Sequence, residues 1–264
     1  MTLKTYLIDG DKGGVGKSLA TRALAHYFLT TEMRPVLAVY DADMSNPDVC
    51  GDGGLSRQNA RLVQSQIIDL SIEHGWIELA TDIDTLRGKY GDQDIRVIVN
   101  MPAQIGARAF QGNLPIVAAV LREANVFPIW LISRLEESIR TLDERIKAMP
   151  ARYRHGLVLR NLFFGSPEKF LLWENSPLRA ALIPSVDAES PFHWAENNLP
   201  EINDAVITRI GRIPFHVALK EGIGGQPLPY GYRLALDQWL KQTHALFEQM
   251  ERWMAQMSGE SSDD

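Results

Sequence analysis

Residues Asp11-Lys12-Gly13-Gly14-Val15-Gly16-Lys17-Ser18 gather two lysines, three glycines and a hydroxyl into eight positions, a set suited to wrapping a chain of phosphates. Glycine lets the backbone curl until successive N–H groups point inward, and the N-terminal end of a following helix adds partial positive charge. Lys17 is then expected to reach the β- and γ-phosphates, and the Ser18 hydroxyl to ligate Mg2+. The strict form of such a loop begins on glycine. Here Asp11 holds that place with Gly10 just before it, so the match is to a variant. A glycine-rich turn with incidental lysines is the bland alternative. Against it, Thr5-Tyr6-Leu7-Ile8 reads as a buried strand and Leu19 to Leu29 has helical spacing, the strand–loop–helix setting that the chemistry needs.

Other polar residues stand at the ends of apolar runs. Asp41 and Asp43 follow Val36-Leu37-Ala38-Val39-Tyr40, two apart, so extended backbone would turn both to one side; otherwise they are solvated turn aspartates. Asn100 ends Arg96-Val97-Ile98-Val99, and Asn161 ends the run from Leu157. Strands are expected near 4–9, 35–40, 95–100, 127–132, 156–161 and 207–213, separated mostly by helical patterns. The alternation predicts an α/β fold, a mostly parallel twisted sheet flanked by helices on both faces. Ligands in such sheets bind at the carboxyl ends of strands, where these residues all fall. Gly51-Asp52-Gly53-Gly54 reads as a mobile loop that could respond to a γ-phosphate.

Lys12 through Ser18 resembles the loop of the deviant Walker A ATPases, the ParA and MinD partitioning and positioning proteins with a P-loop NTPase fold. The likeness continues in Asp41-Ala42-Asp43, in Arg96 to Ala103 at the Walker B strand, in Leu157 to Asn161, and in Ile213-Pro214 followed by Leu219-Lys220-Glu221-Gly222. It implies that Gly13, Gly14, Val15, Gly16, Lys17, Ser18 and Leu19 hold ATP. By the same resemblance Lys12 contacts the nucleotide of a partner subunit, so that two ATP molecules bridge a homodimer; Asp43 positions or activates the attacking water, with Lys12 and Lys17 as its catalytic companions. Mg2+ would be held through Ser18, Asp41 and Asn100. Asn161 would meet the adenine edge, with Pro214, Phe215 and His216 enclosing the base. The family has aspartate where this chain has Asn100. An amide can accept from a metal-bound water but neither neutralises the ion nor acts as a base, which points to weak ATP hydrolysis or to a nucleotide-locked dimer that hardly turns over.

With 264 residues, 45% of them apolar, and a formal net charge of −6, the chain reads as a single domain over 1–257 with a disordered acidic tail at 258–264. The net charge disfavours whole-molecule attraction to DNA or anionic lipid. One cysteine, Cys50, excludes a disulfide framework and argues against the nitrogenase iron-protein branch, whose shared cluster needs two cysteines per subunit. No signal peptide or membrane-length apolar run is legible, so a cytoplasmic protein is expected. Basic residues cluster at Arg145-Ile146-Lys147, Arg152-Tyr153-Arg154-His155 and Arg160, and at Arg209, Arg212 and Lys220, leaving non-specific DNA binding open beside an ordinary solvated surface. Residues 163–200 look like an insertion or an elaborated connection before the last strand, either a partner surface or a packed lid. The last helix carries a stripe at Leu236, Leu240, Thr243, Phe247, Met250, Met254 and Met257, broadened by Trp239, Leu246 and Trp253. Packing on the sheet, association with a partner and membrane binding compete there, the last disfavoured because Asp237, Glu248 and Glu251 offset Lys241 and Arg252. The expected function is an ATP-dimerising partitioning or positioning ATPase with a partner protein or cargo adaptor, for a plasmid or a transfer apparatus. A regulatory dimer that only binds nucleotide is the alternative.

Overall fold

An apolar strand buried on both faces must sit in the middle of a sheet, and β1 (Leu3–Gly10) is buried along its whole length. The computed structural model describes residues 2–10, 13–32, 35–55, 61–102, 114–148, 153–184 and 190–257. After β1 come α1 (Lys17–Thr30), β2 (Val36–Asp41), β3 (Leu62–Ile67), α2 (Glu73–Tyr90), β4 (Ile95–Asn100), α3 (Leu114–Glu123), β5 (Val126–Ile132), α4 (Glu136–Ala148) and β6 (His155–Asn161). Two short 3-10 turns lead to α5 (Leu171–Glu174), α6 (Pro177–Leu182), β7 (His193–Leu199), α7 (Asp204–Ile210), α8 (Phe215–Lys220) and α9 (Tyr230–Met257).

The seven strands pair in the order β3-β2-β4-β1-β5-β6-β7, every pairing parallel. Alternate residues feed two cores. Tyr6 and Ile8 join the side chains of α1, α7, α8 and α9 on one face, while Leu3 and Leu7 join those of α2, α3, α4, α5 and α6 on the other. The chain runs from β1 outward to β2 and β3, then β5 returns on the opposite side of β1. That reversal opens a crevice at the carboxyl end of β1, where the glycine loop leaves the sheet.

Three expectations need correction. Residues 207–213 do not form a strand: α7 covers 204–210, with the Asn203 side chain accepting from the Ala205 N–H at its start. Val206 and Ile210 are buried four apart, a helical spacing that a short apolar run hides. The last strand is β7, inside the 163–200 segment, which supplies a sheet edge instead of an insertion. Phe170, Trp173 and Leu182 pack it onto the sheet, and the Trp173 indole N–H donates to Glu196 on β7 at 2.9 Å. Finally, β3 was not expected at all.

Helix α9 takes the bland course for its stripe. Leu236, Trp239, Leu240, Thr243, Leu246, Phe247, Met250 and Met254 are buried, and the helix packs on α1 and β7, with Met257 exposed. Glu251, on the same buried face, accepts from the Tyr6 hydroxyl and pairs with Arg96 at 3.6 Å, tying α9 to the sheet centre. Among the described residues no helix is long and apolar enough to cross a membrane. The tail 258–264 lies outside the described residues.

Candidate functional site

The glycine loop enters α1 through Gly16, whose φ of 105° is strained for any residue with a side chain. A Cβ at Gly16 would also stand 2.5 Å from Asn161 Nδ2. That contact has a purpose: Asn161 Nδ2 donates to the Val15 carbonyl at 2.8 Å, and Asn161 Oδ1 accepts from the Phe163 N–H at 3.0 Å. Asn161 thus braces the loop from the end of β6. Val15 and Lys17 are buried, Ser18 and Leu19 are half-buried, and Gly13 and Gly14 are exposed. Lys12 lies outside the described residues, as do Asp11, Ala103 and Arg152.

Strands β2 and β4 pair Asp41 with Asn100, and β1 and β4 pair Ile8 with Asn100, so the three strand ends meet beside the loop. Asn100 is fully buried. Its Nδ2 donates to Asp41 Oδ1 at 2.8 Å and to Ser18 Oγ at 3.4 Å, and its Oδ1 accepts from the Thr21 hydroxyl at 3.3 Å. Asp41, also fully buried, further accepts from the N–H groups of Asp43 (3.2 Å), Val49 (2.8 Å) and Cys50 (3.2 Å). Asp41 and Asp43 therefore do not share one role: Asp41 is folded inward as the anchor of the next loop. Half-buried Asp43 stays near the surface, with its Oδ1 accepting from the Asn46 N–H at 3.1 Å.

The loop after β2 is tightly folded. A Cβ at Gly51 would stand 2.3 Å from the Pro47 carbonyl oxygen, so only glycine fits, and Leu55 N–H donates to Val49 O at 2.7 Å. Burial pushes the Cys50 thiol up to about 12, which keeps it an inert packing group. Arg212 pins this loop to the segment before α8, donating to Asp48 at 2.7 Å and to Asn46 Oδ1 at 2.9 Å. Between the two segments lies a cleft of about 720 Å3 whose walls include Pro47, Leu55, Ile213, Pro214 and Val217.

Of the three residues expected around a base, the ring of Phe215 points into the core against Trp239, His26 and the guanidinium of Arg22. Pro214 starts α8 at the cleft wall, and half-buried His216 follows. Burial holds the His216 imidazole below its ordinary value. Arg22, two turns into α1, donates to the Ile213 carbonyl at 2.7 Å, and burial lowers its pKa to about 10. Four members of the basic clusters are engaged in ion pairs: Arg145 with Asp9 at 3.3 Å, Lys147 with Asp143, Arg160 with Glu174, and Arg212 with Asp48.

Sequence reasoning missed Thr21 and Arg22, and it read Arg212 and Arg145 only as members of basic clusters, without their partners Asp48 and Asp9. Thr21 and Arg22 had a legible signal, since positions three and four beyond Ser18 share its side of a helix. Arg145 had none, because its partner is 136 positions away.

A divalent ion fits this donor set poorly. Ser18 Oγ faces the amide of Asn100, Asn100 is neutral and presents N–H to Asp41, and each Asp41 oxygen already has two donors. A carboxylate offers about four acceptor positions, so none remains for the water shell of a metal.

No protein-family model matches the chain. Protein MobD of Acidithiobacillus ferrooxidans is 31% identical over 252 residues, spanning 94% of this chain and 98% of that protein. Among solved structures, the MinD cell division protein of Aquifex aeolicus is 16% identical, with 90% and 96% of the two chains covered and a TM-score of 0.50. A putative plasmid partition protein of Borrelia burgdorferi B31, bound to AMPPNP, is 15% identical with 94% and 100% covered and a TM-score of 0.51. At those identities the two solved structures are likenesses of fold.

Proposed function

The chain belongs to the family of protein MobD, and from that premise, with the fold it shares with MinD and a plasmid partition protein, we propose that it is a P-loop ATPase of the ParA/MinD group that binds ATP and pairs across bound nucleotide to position or stabilise a cargo. The observation that carries the reading is the glycine loop at the carboxyl end of the central strand, leading through Gly16 into α1 with Lys17 and Ser18 in its first turn. Phosphate oxygens there would meet loop N–H groups, the positive end of a 14-residue helix and the Lys17 ammonium together. Asn161 keeps the loop in shape from behind, and the same β6 end would border the base. In this proposal Lys12 reaches the partner's nucleotide and Asp43 orients the attacking water. The cargo is of the plasmid or transfer-apparatus kind.

A second reading has an observation of its own. Asn100 carries no charge and is committed to Asp41, Ser18 and Thr21, which favours a dimer that holds ATP with little turnover. Light scattering after gel filtration with ADP and with ATP, alongside phosphate release, separates the two. We expect a dimer with ATP and a monomer with ADP, with release slow in the first reading and absent in the second. Lys17→Ala should weaken ATP binding by about a hundredfold, since a buried charge-assisted contact to phosphate is lost. Unchanged ATP affinity in that variant would remove the phosphate-loop assignment.

A further inference from the structure

The tie between Ser18, Asn100 and Asp41 has a chemical orientation that leaves no freedom. Asp41 is a buried acceptor, so the side of Asn100 that faces it must be the N–H2 side, and the opposite oxygen is then placed to share the single proton of the Thr21 hydroxyl, 3.3 Å away, with the Lys17 carbonyl at 2.9 Å. One amide therefore links the first turn of α1 to the carboxylate that anchors Val49 and Cys50. A carboxylate at position 100 would set two anionic groups against each other at hydrogen-bond distance in a fully buried place, and one of them would need a proton or a cation between them. The amide removes that need.

Resting on the phosphate-loop reading above, we propose that Asn100 replaces the divalent ion as the link between Ser18 and Asp41, so that this chain takes the metal-free nucleoside triphosphate almost as well as its Mg2+ complex. Three features supply the compensation that the triphosphate requires: the ammonium of buried Lys17, the N-terminal end of α1 and the loop N–H groups. Beyond the remaining lone pair of the Ser18 hydroxyl the metal has little to gain from the protein beside them, because Asp41 is saturated by four donors and Asn100 has no charge to offer.

The test is a calorimetric titration of the full chain with ATP, once in EDTA and once in excess MgCl2, repeated with Asn100→Asp. The parent dissociation constants should agree within about threefold. In the variant, ATP binding should fall by about tenfold or more in EDTA and recover in MgCl2. Thermal denaturation without nucleotide gives a second readout: the variant should melt lower in EDTA and be raised by MgCl2, while the parent is indifferent. A variant that folds only in MgCl2 supports the same account. A parent that gains tenfold or more from Mg2+ overturns the inference while leaving the phosphate site intact. A variant indifferent to the metal in both readouts overturns the role of Asn100. A parent that binds ATP in neither buffer removes the phosphate-site reading and the inference with it.

Discussion

Two buried carboxylates at the ends of strands on either side of β4, Asp41 on β2 and Asp9 on β1, are stabilised in opposite ways. Asp41 is held by four neutral N–H donors, three of them from the backbone at Asp43, Val49 and Cys50 and the fourth from Asn100. Asp9 is held by charge. Its Oδ1 accepts from the Gly10 N–H at 2.8 Å, while its Oδ2 meets Arg145 of α4 at 3.3 Å without hydrogen-bond geometry. Tyr153 lies close enough to feel both groups: burial raises its hydroxyl pKa, Arg145 lowers it and Asp9 raises it again, and the hydroxyl has no hydrogen-bond partner among the described residues. A carboxylate satisfied by backbone fixes the path of a chain segment, whereas one satisfied by a side chain fixes only the approach of a helix. Asp41 should therefore be irreplaceable, and the Asp9 pair replaceable as a unit.

The largest effect is expected from Asp41→Ala. It orphans donors that no second substitution can remove, each costing about 1–3 kcal/mol, so urea denaturation should lose about 4 kcal/mol or more. Amide exchange at Val49 and Cys50 should speed up at the same time. A loss below about 1 kcal/mol would mean that water substitutes for the carboxylate, and the contrast with Asp9 would vanish.

Asp9→Ala comes next, taking from the buried Arg145 guanidinium the carboxylate that lies 3.3 Å away. Removing one member of a buried pair costs about 3 kcal/mol. The folded loop beyond β2 should be unaffected, so exchange at Val49 and Cys50 stays slow. Faster exchange there would couple the two carboxylates and undo the distinction between them.

Both measurements belong above pH 6.5, because a buried histidine pair makes stability depend on pH on the acid side. His26 Nδ1 lies 2.8 Å from His244 Nε2 between α1 and α9, and burial, then His244 and His216, lower the His26 pKa from 6.5 to about 3. Between those values the unfolded chain binds a proton that the folded chain refuses, so stability is complete above the unfolded pKa and falls as pH falls. His26 alone should remove about 2 kcal/mol by pH 5, seen as a falling urea midpoint. His26→Gln should flatten that slope. An unchanged slope would assign acid lability to other groups.

The sequence was informative where chemistry is local and silent where it is distant. The glycine loop, β1, β2, β4, β5 and β6 are legible because a strand buried on both faces is a continuous apolar run. The two edge strands are not: Leu62-Val63-Gln64-Ser65-Gln66-Ile67 and His193-Trp194-Ala195-Glu196-Asn197-Asn198-Leu199 are half polar because one side of each lacks a neighbour. Position 100 was legible as a departure from a pattern. Its geometry was not, since the orientation of its amide depends on Asp41 from β2 and on Ser18 and Thr21 from α1. Phe215 misled in the same way, being adjacent in sequence to cleft-wall Pro214 while its ring packs into the core.

The smallest expected effect gives the sharpest form of the contrast. If Asp9 and Arg145 serve mainly each other, replacing both with apolar side chains of similar volume removes two desolvated charges together. Asp9→Leu combined with Arg145→Met should then lie within about 1 kcal/mol of the parent, although Asp9→Ala alone costs about 3 kcal/mol. Some residual deficit is expected from the Gly10 N–H, which loses its side-chain acceptor. The double variant should also keep ATP affinity, because the pair stands behind the glycine loop on the α4 side of the sheet. A double variant as unstable as the sum of its single changes would show that Asp9, like Asp41, holds backbone that nothing else can hold.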